Sequence, residues 1–271
     1  MIEKKLQTQA EGGNHMGKII SIVNQKGGVG KTTTVVNLAA SLHKLGYKVI
    51  IVDMDPQGNA SSGSGIEKNR IARTVYDFLI GNIKIQHAIY EAPVEKYQVI
   101  PANMNLAGAS MEISTLPKRE FLLLNGLDGI RDQYDYILID CPPAVNLLTI
   151  NSLTASDSVI IPMQCEYYAL EGISQLMQTI KLVKQRTNKR LALEGILFTM
   201  FDSRTNLSKQ VIDEVNQHFE KYVYRTRISR SVRLSEAPSH GLSCITYAPS
   251  SKSAEQYLDF AKELVERNNL K

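Results

Sequence analysis

Three things are scarce in this sequence, and each scarcity removes a class of protein. Only three cysteines occur, Cys141, Cys165 and Cys244, with no C-x-x-C pair and no even framework. That pattern excludes a disulfide-stapled scaffold and fits a reducing cytosol. No apolar run approaches the roughly 18 residues that a membrane-spanning helix needs, and residues 1–15 lack the apolar core of a signal peptide. A cytoplasmic protein is expected. Charge of one sign is short as well: 31 Lys and Arg face 27 Asp and Glu, a net of +4, so no global electrostatic argument for a partner follows. What remains, 43% hydrophobic and 21% charged over 271 residues, is ordinary globular composition within the range of one α/β domain. Residues 1–15 are polar and read as a flexible leader, an interaction tail or an upstream start, ahead of a single domain over 16–271.

The stretch from Lys18 to Leu42 organises the rest. Ile19, Ile20, Ile22 and Val23 form a β-branched run of the kind found in a strand buried on both faces. Gly27, Gly28 and Gly30 follow, with Val29 between them, then Lys31-Thr32-Thr33 and an apolar pattern at helical spacing (Val35, Leu38, Ala39, Leu42). Strand, glycine loop, Lys-Thr and helix is a phosphate cradle. Glycines bring backbone N–H groups onto phosphate oxygens, and the first helical turn adds unpaired donors and a positive dipole end. In such a loop Lys31 reaches the β/γ-phosphates and Thr32 is a Mg²⁺ ligand. The general pattern wants glycine where Gln25 stands; Lys26 instead opens the loop as K-G-G-V-G-K-T-T.

Two further strands end in acids. Tyr47–Asp53 runs into M-D-P-Q-G-N, and a short strand–helix–strand connection places Asp55 outside the carboxyl end of the sheet, where a γ-phosphate and its attacking water would lie. A carboxylate there can orient water. Tyr136–Asp140 precedes Cys141-Pro142-Pro143, and Asp140 is positioned as the carboxylate that supports Mg²⁺. Cys141 reads as a small filler. Between them, 61–74 reads as a polar surface segment without chemistry; 75–80, 85–90, 106–116 and 120–133 read as helices, with a strand end at 99–101. Strands are expected over 157–163 and 193–200, and helices over 168–186, 208–219 and 254–266. The whole is an α/β fold: a doubly wound, mostly parallel sheet flanked by helices.

Charge is uneven along the chain. Lys181 to Arg233 carries twelve Lys/Arg against five Asp/Glu, a balance suited to sequence-independent phosphate contacts. Arg204, Arg227, Arg230 and Arg233, in loops or short strands, are the sharper candidates because a guanidinium fork grips phosphate.

The loop K-G-G-V-G-K-T-T, with V-D-M-D-P-Q-G-N, Y-D-Y-I-L-I-D-C-P-P, T-M-F-D-S-R-T and V-R-L-S-E-A-P-S-H-G, resembles the ParA/Soj partitioning ATPases of the deviant Walker A group, from Lys18 nearly to the C-terminus. The resemblance implies an ATPase that uses ATP and Mg²⁺, slow on its own. ATP joins two subunits face to face, with Lys26 reaching the partner's phosphates and Gly27, Gly28, Val29, Gly30, Lys31, Thr32 and Thr33 cradling its own. Lys26, Lys31 and Asp55 form the catalytic set; Thr32, Asp55 and Asp140 form the metal set. It further implies a nucleoid-associated dimer that binds double-stranded DNA non-specifically until a centromere-binding ParB protein stimulates hydrolysis, in chromosome or plasmid segregation. One departure stands out: the family usually reads Pro-Arg-Asn before V-R-L-S-E-A-P, with the asparagine near the base, where this chain has Ser229-Arg230-Ser231. The alternative is a MinD-like membrane-associated ATPase positioning division or other cargo. That reading needs a basic amphipathic C-terminal tail, whereas Glu255, Asp259, Glu263 and Glu266 flank the apolar residues of the last helix, so no stable membrane association is expected. A nitrogenase-type iron protein needs a cluster-bridging cysteine pair whose surroundings are missing here.

Overall fold

The computed structural model describes residues 16–167 and 169–269; the leader expected over 1–15 lies outside them. Seven strands, Lys18–Ile22 (β1), Val49–Asp53 (β2), Tyr90–Glu91 (β3), Gln98–Ile100 (β4), Tyr136–Asp140 (β5), Ser158–Gln164 (β6) and Ala192–Thr199 (β7), form one sheet in the order β3-β4-β2-β5-β1-β6-β7. Every pairing is parallel except the edge pair β3–β4. All residues of β2 and β5 are buried, as a parallel sheet covered on both faces requires.

The main helices are Lys31–Lys44 (α1), Leu147–Ala155 (α2), Ala169–Arg186 (α3), Asn206–Phe219 (α4) and Lys252–Asn269 (α5). Strand side chains alternate between two cores. Ile19, Ile137, Ile139, Val159 and Ile161 pack with Leu148 and Leu153 of α2, Ile173 and Leu176 of α3, and Val211 and Val215 of α4. Ile20, Ile22, Ile51, Leu138 and Ile160 pack with Val35, Leu38 and Leu42 of α1 and with Tyr257, Phe260 and Leu264 of α5. The last helix therefore lies against the helix that follows the glycine loop, and Tyr257 Oη meets Thr34 Oγ1 at 3.3 Å.

The sequence reading needs correction at several elements. The expected helix over 120–133 is broken into turns around a core piece, Leu122–Asp128. Gly126 lies under Phe78, whose ring would be 2.3 Å from an added Cβ, and Gly129 closes the piece. The helix expected over 85–90 is a single tight turn, Ile85–Ala88, after which Tyr90–Glu91 joins the sheet edge. Residues 106–116 form a short helix, Leu106–Glu112, and one further turn. Helix α2, which no periodicity announced, is rich in hydroxyl and β-branched residues. It is secured by Asn146, which accepts from Leu148 N and Thr149 N at 3.0 and 3.2 Å, and by burial of most of its length. Among the described residues no helix is long and apolar enough to cross a membrane.

Helix α5 is fastened by a buried acid. Glu263, 5% exposed, accepts from Arg225 N and from Thr226 N and Oγ1, each at 2.9 Å, and from Arg267 Nη2 at 2.7 Å. Burial opposes its ionisation, but these donors outweigh burial and hold its carboxyl below the ordinary range. Such a group stabilises the fold above its unfolded pKa and ceases to do so as pH falls through its folded value. Glu263→Ala is expected to lower the unfolding free energy at pH 7 by about 3 kcal/mol, because it strands buried donors and Arg267. In urea titrations the gap between the wild-type chain and Glu263→Gln should shrink as pH drops below the carboxylate range.

Candidate functional site

The glycine loop sits near the centre of the sheet, at the carboxyl end of β1, where the connection from β1 runs one way to β2 and that from β5 runs the other way to β6. Gly28 and Gly30 have φ of 76° and 88°, a left-handed conformation that a side chain would strain. Gly30 immediately precedes α1, whose first turn holds no acid. Loop carbonyls are tied outward by side chains from distant elements. Gln164 Nε2 donates to Gly28 O at 2.8 Å, Thr199 Oγ1 to Val29 O at 2.8 Å, and Lys31 Nζ to Lys26 O at 3.0 Å. The backbone N–H groups from Gly27 to Thr33, by contrast, find no acceptor among the described residues. Oxygens fixed and donors free is the arrangement an anion requires. Lys31 is buried beside this run at 7% exposure. Burial lowers its pKa, while Asp140, Cys141 and Asp55 act to raise it.

Next to the loop, three acids converge. Asp53 and Asp140 end neighbouring strands in matched register and are both fully buried. Asp140 Oδ2 accepts from Thr32 Oγ1 at 2.7 Å, while its Oδ1 is buried with no partner among the described residues. Burial first, and then the charge of Asp53, pushes the Asp140 carboxyl well above its ordinary range. Asp53 is raised to about 6 by burial, against the hydrogen bonds it receives. Those come from Asp55 N at 3.1 Å and from Ser61 N and Oγ at 2.8 and 2.7 Å. Asp55 is half-buried and caps its own turn through Gln57 N at 2.9 Å. A hydroxyl, an orphaned carboxylate oxygen and a second nearby carboxylate make a hard oxygen set that fits Mg²⁺. Among the described residues no three His, Cys, Asp or Glu are grouped to hold a metal by themselves. Cys141 beside them is buried, and burial pushes its thiol up to about 12.

Beyond Gly30 and Thr33 lies a cavity of about 130 Å³ walled by Ser229, Arg230, Ser231 and Tyr257. Ser229 and Arg230 also line a larger cleft of about 580 Å³, together with Arg204, Arg225, Arg227 and Lys252. Three of the four expected phosphate-gripping arginines thus meet in one place. Arg233 does not: it stands on the short helix Val232–Glu236, not in a loop or strand, and pairs with Glu236 at 2.9 Å. Arg204 is held by both oxygens of Asp202, at 2.9 and 2.7 Å, and Arg225 by Glu266 at 2.8 Å. Arg227 lies 5.0 Å from the centre of the Phe201 ring, and Arg227, Arg230 and Lys252 form no ion pair among the described residues. The uncompensated charge of the cleft resides in those three.

Lys26 is half-exposed and pairs within its own chain with Glu166. Sequence reasoning missed Ser61, Gln164, Thr199 and Asp53. Ser61 lies in the segment read as surface, yet it is fully buried in a short helix, Asn59–Gly63. Its Oγ also accepts from Ala102 N at 3.0 Å. The one available signal was Asp53 itself, an acid ending an apolar strand, which demands a donor.

Comparison with known proteins agrees with this geometry. A family model described as an AAA domain matches residues 17–193. The sporulation initiation inhibitor protein Soj of Bacillus subtilis is 57% identical over 249 residues, 92% of this chain and 98% of that protein. The chromosome partitioning protein ParA of Myxococcus xanthus is 51% identical over 256 residues, 94% of this chain and 90% of that protein. Among solved structures, cobyrinic acid a,c-diamide synthase from Mycobacterium smegmatis with bound ADP and magnesium is 35% identical with a TM-score of 0.82, covering 94% of this chain and 96% of its own. Such identity over nearly the whole length of both partitioning proteins, on a fold with the glycine loop and paired acids in place, means that the chain belongs to the ParA/Soj family of P-loop partitioning ATPases.

Proposed function

We propose that this chain is a Mg²⁺-dependent ATPase whose ATP-bound dimer holds duplex DNA without sequence preference and lets go on hydrolysis, serving the segregation of a chromosome or plasmid. The observation that carries the reading is the continuous run of free N–H groups from Gly27 to Thr33 sharing one wall, Ser229 and Arg230, with a cleft of uncompensated cations. Lys31 and the loop amides take the phosphates. Thr32 and Asp140 would hold Mg²⁺, with Asp55 beside them; when bound, the ion offsets phosphate charge. Asp55, on the turn after β2, orients the attacking water, and Asp53 and Ser61 fix that turn. Lys26, once freed from Glu166, serves the partner's phosphates. A ParB-type protein is the activator this scheme calls for, and Ser229 and Ser231 border the nucleotide as part of its binding site. Arg227 and Arg230, with Arg204 and Arg233 contributing, grip DNA phosphates.

Anisotropy titration of a random-sequence duplex tests the reading. Binding should be tight with a non-hydrolysable ATP analogue and weak with ADP or no nucleotide. Arg230→Ala should weaken it and lower the salt dependence by about one phosphate contact; Lys31→Ala should abolish it. Analogue-independent binding overturns the switch, and binding to anionic vesicles in place of DNA favours a MinD-like role. In a separate assay, Asp55→Ala should lower ATP turnover by about a hundredfold or more while leaving analogue binding within about threefold. Retained turnover would remove Asp55 from the chemistry.

A further inference from the structure

The wall between the two clefts is held in an unusual way. Ser229 is half-buried and its backbone lies in a parallel bridge with Phe201, while its N–H and hydroxyl go to one side chain: Ser229 N donates to Gln256 Oε1 at 3.0 Å, and Gln256 Nε2 donates to Ser229 Oγ at 3.0 Å. Two residues on, Ser231 Oγ accepts from Ser253 Oγ at 3.1 Å. Gln256 and Ser253 both belong to the first turns of α5, and Tyr257, next to Gln256, touches Thr34 of the helix behind the glycine loop. The segment Ser229–Ser231 is thus pinned at both ends to a helix that itself leans on the phosphate loop's helix. On one side it faces Gly30 and Thr33; on the other, Arg230 stands among Arg227 and Lys252.

We propose that Gln256 is a positioning residue: by gripping Ser229 through both halves of its amide it fixes Ser229–Arg230 as the common wall of the nucleotide and cationic clefts, so that affinity for each ligand depends on one contact. The inference rests on the functional reading above for the identity of the two ligands. A proline at 229 would offer Gln256 neither N–H nor hydroxyl, so the clamp depends on the serine that stands there. It also supplies a sharp test. Removing Gln256 strands the Ser229 N–H, whereas a proline at 229 has no N–H to strand.

The experiment compares Gln256→Ala, Gln256→Met, Ser229→Pro and the double variant Gln256→Ala/Ser229→Pro in the full chain. The readouts are affinity for a fluorescent non-hydrolysable ATP analogue, affinity of the analogue-bound protein for a random-sequence duplex, and thermal unfolding. Gln256→Ala should weaken both affinities about fivefold, the loss of roughly one net hydrogen bond, with little change in melting temperature. Gln256→Met, which keeps the bulk, should do the same and replaces it if the alanine variant fails to fold. Ser229→Pro already lacks the clamp, so adding Gln256→Ala to it should change neither affinity by more than about twofold, and the two losses do not add. Unchanged affinities in both Gln256 variants, or a full additive loss in the double variant, would overturn the proposal. A wild-type chain that ignores DNA would remove the functional reading instead, and the analogue titration would still decide the role of Gln256.

Discussion

The structure turns on two carboxylates buried side by side. Asp53 and Asp140 end adjacent parallel strands in the same register, where β2, β5 and β1 run together at the centre of the sheet. Burying one charge is expensive and burying two close together more so, and the effect is to raise both pKa values. The fold answers with donors rather than with a salt bridge: Ser61 and the Asp55 amide serve Asp53, and Thr32 serves Asp140. One Asp140 oxygen is left over. A site built this way demands positive charge from outside, and that demand selects a hard cation in company with phosphate.

The glycine loop meets the complementary problem. An amide run can receive phosphate only if its own carbonyls are held out of the way, and the loop cannot do so with its own backbone. Gln164 and Thr199, from the ends of β6 and β7, perform that task across more than a hundred residues of sequence. Thr199 also donates to Met163 O at 3.2 Å, so the loop, β6 and β7 share one hydroxyl. The second half of the chain is therefore part of the phosphate site, although none of it belongs to the motif.

This division explains what was legible beforehand. Local requirements write themselves locally: Gly28 and Gly30 at positive φ, the lysine and threonine that follow, and Asp140 at the end of its apolar strand were visible, as was the doubly wound sheet. Long-range donors were not. Ser61 sits in a polar, glycine-rich stretch that has the composition of a surface turn, and only the sheet's three-dimensional register shows that it must be buried to satisfy Asp53. Gln164, Thr199 and Gln256 are single polar residues with no pattern around them. Charge counting over Lys181–Arg233 pointed to the region of the cationic cleft but overstated its free charge, because Glu236 and Glu266, outside that window, pair with Arg233 and Arg225, and it passed over Lys252, which arrives from α5. Helix α2 escaped notice because its stability comes from burial and an asparagine cap, not from helix-favouring residues.

One mechanical element lies between the glycine loop and the cationic cleft. Many residues separate the phosphate loop from the arginines in sequence, but in space one extended segment, Ser229–Ser231, divides them. An extended strand of three residues has no internal hydrogen bonds to fix it, so its position must come from neighbours. Those neighbours are Phe201, with which Ser229 forms a parallel bridge, and α5, which is in turn secured on one side by Tyr257 against α1 and on the other by Glu263 against Arg225 and Thr226. Glu263 thus holds the stretch that leads into Arg227, and Gln256 holds the stretch that carries Arg230. The last helix emerges as a frame on which the cationic cleft is hung, and its contact with α1 joins that frame to the helix behind the glycine loop.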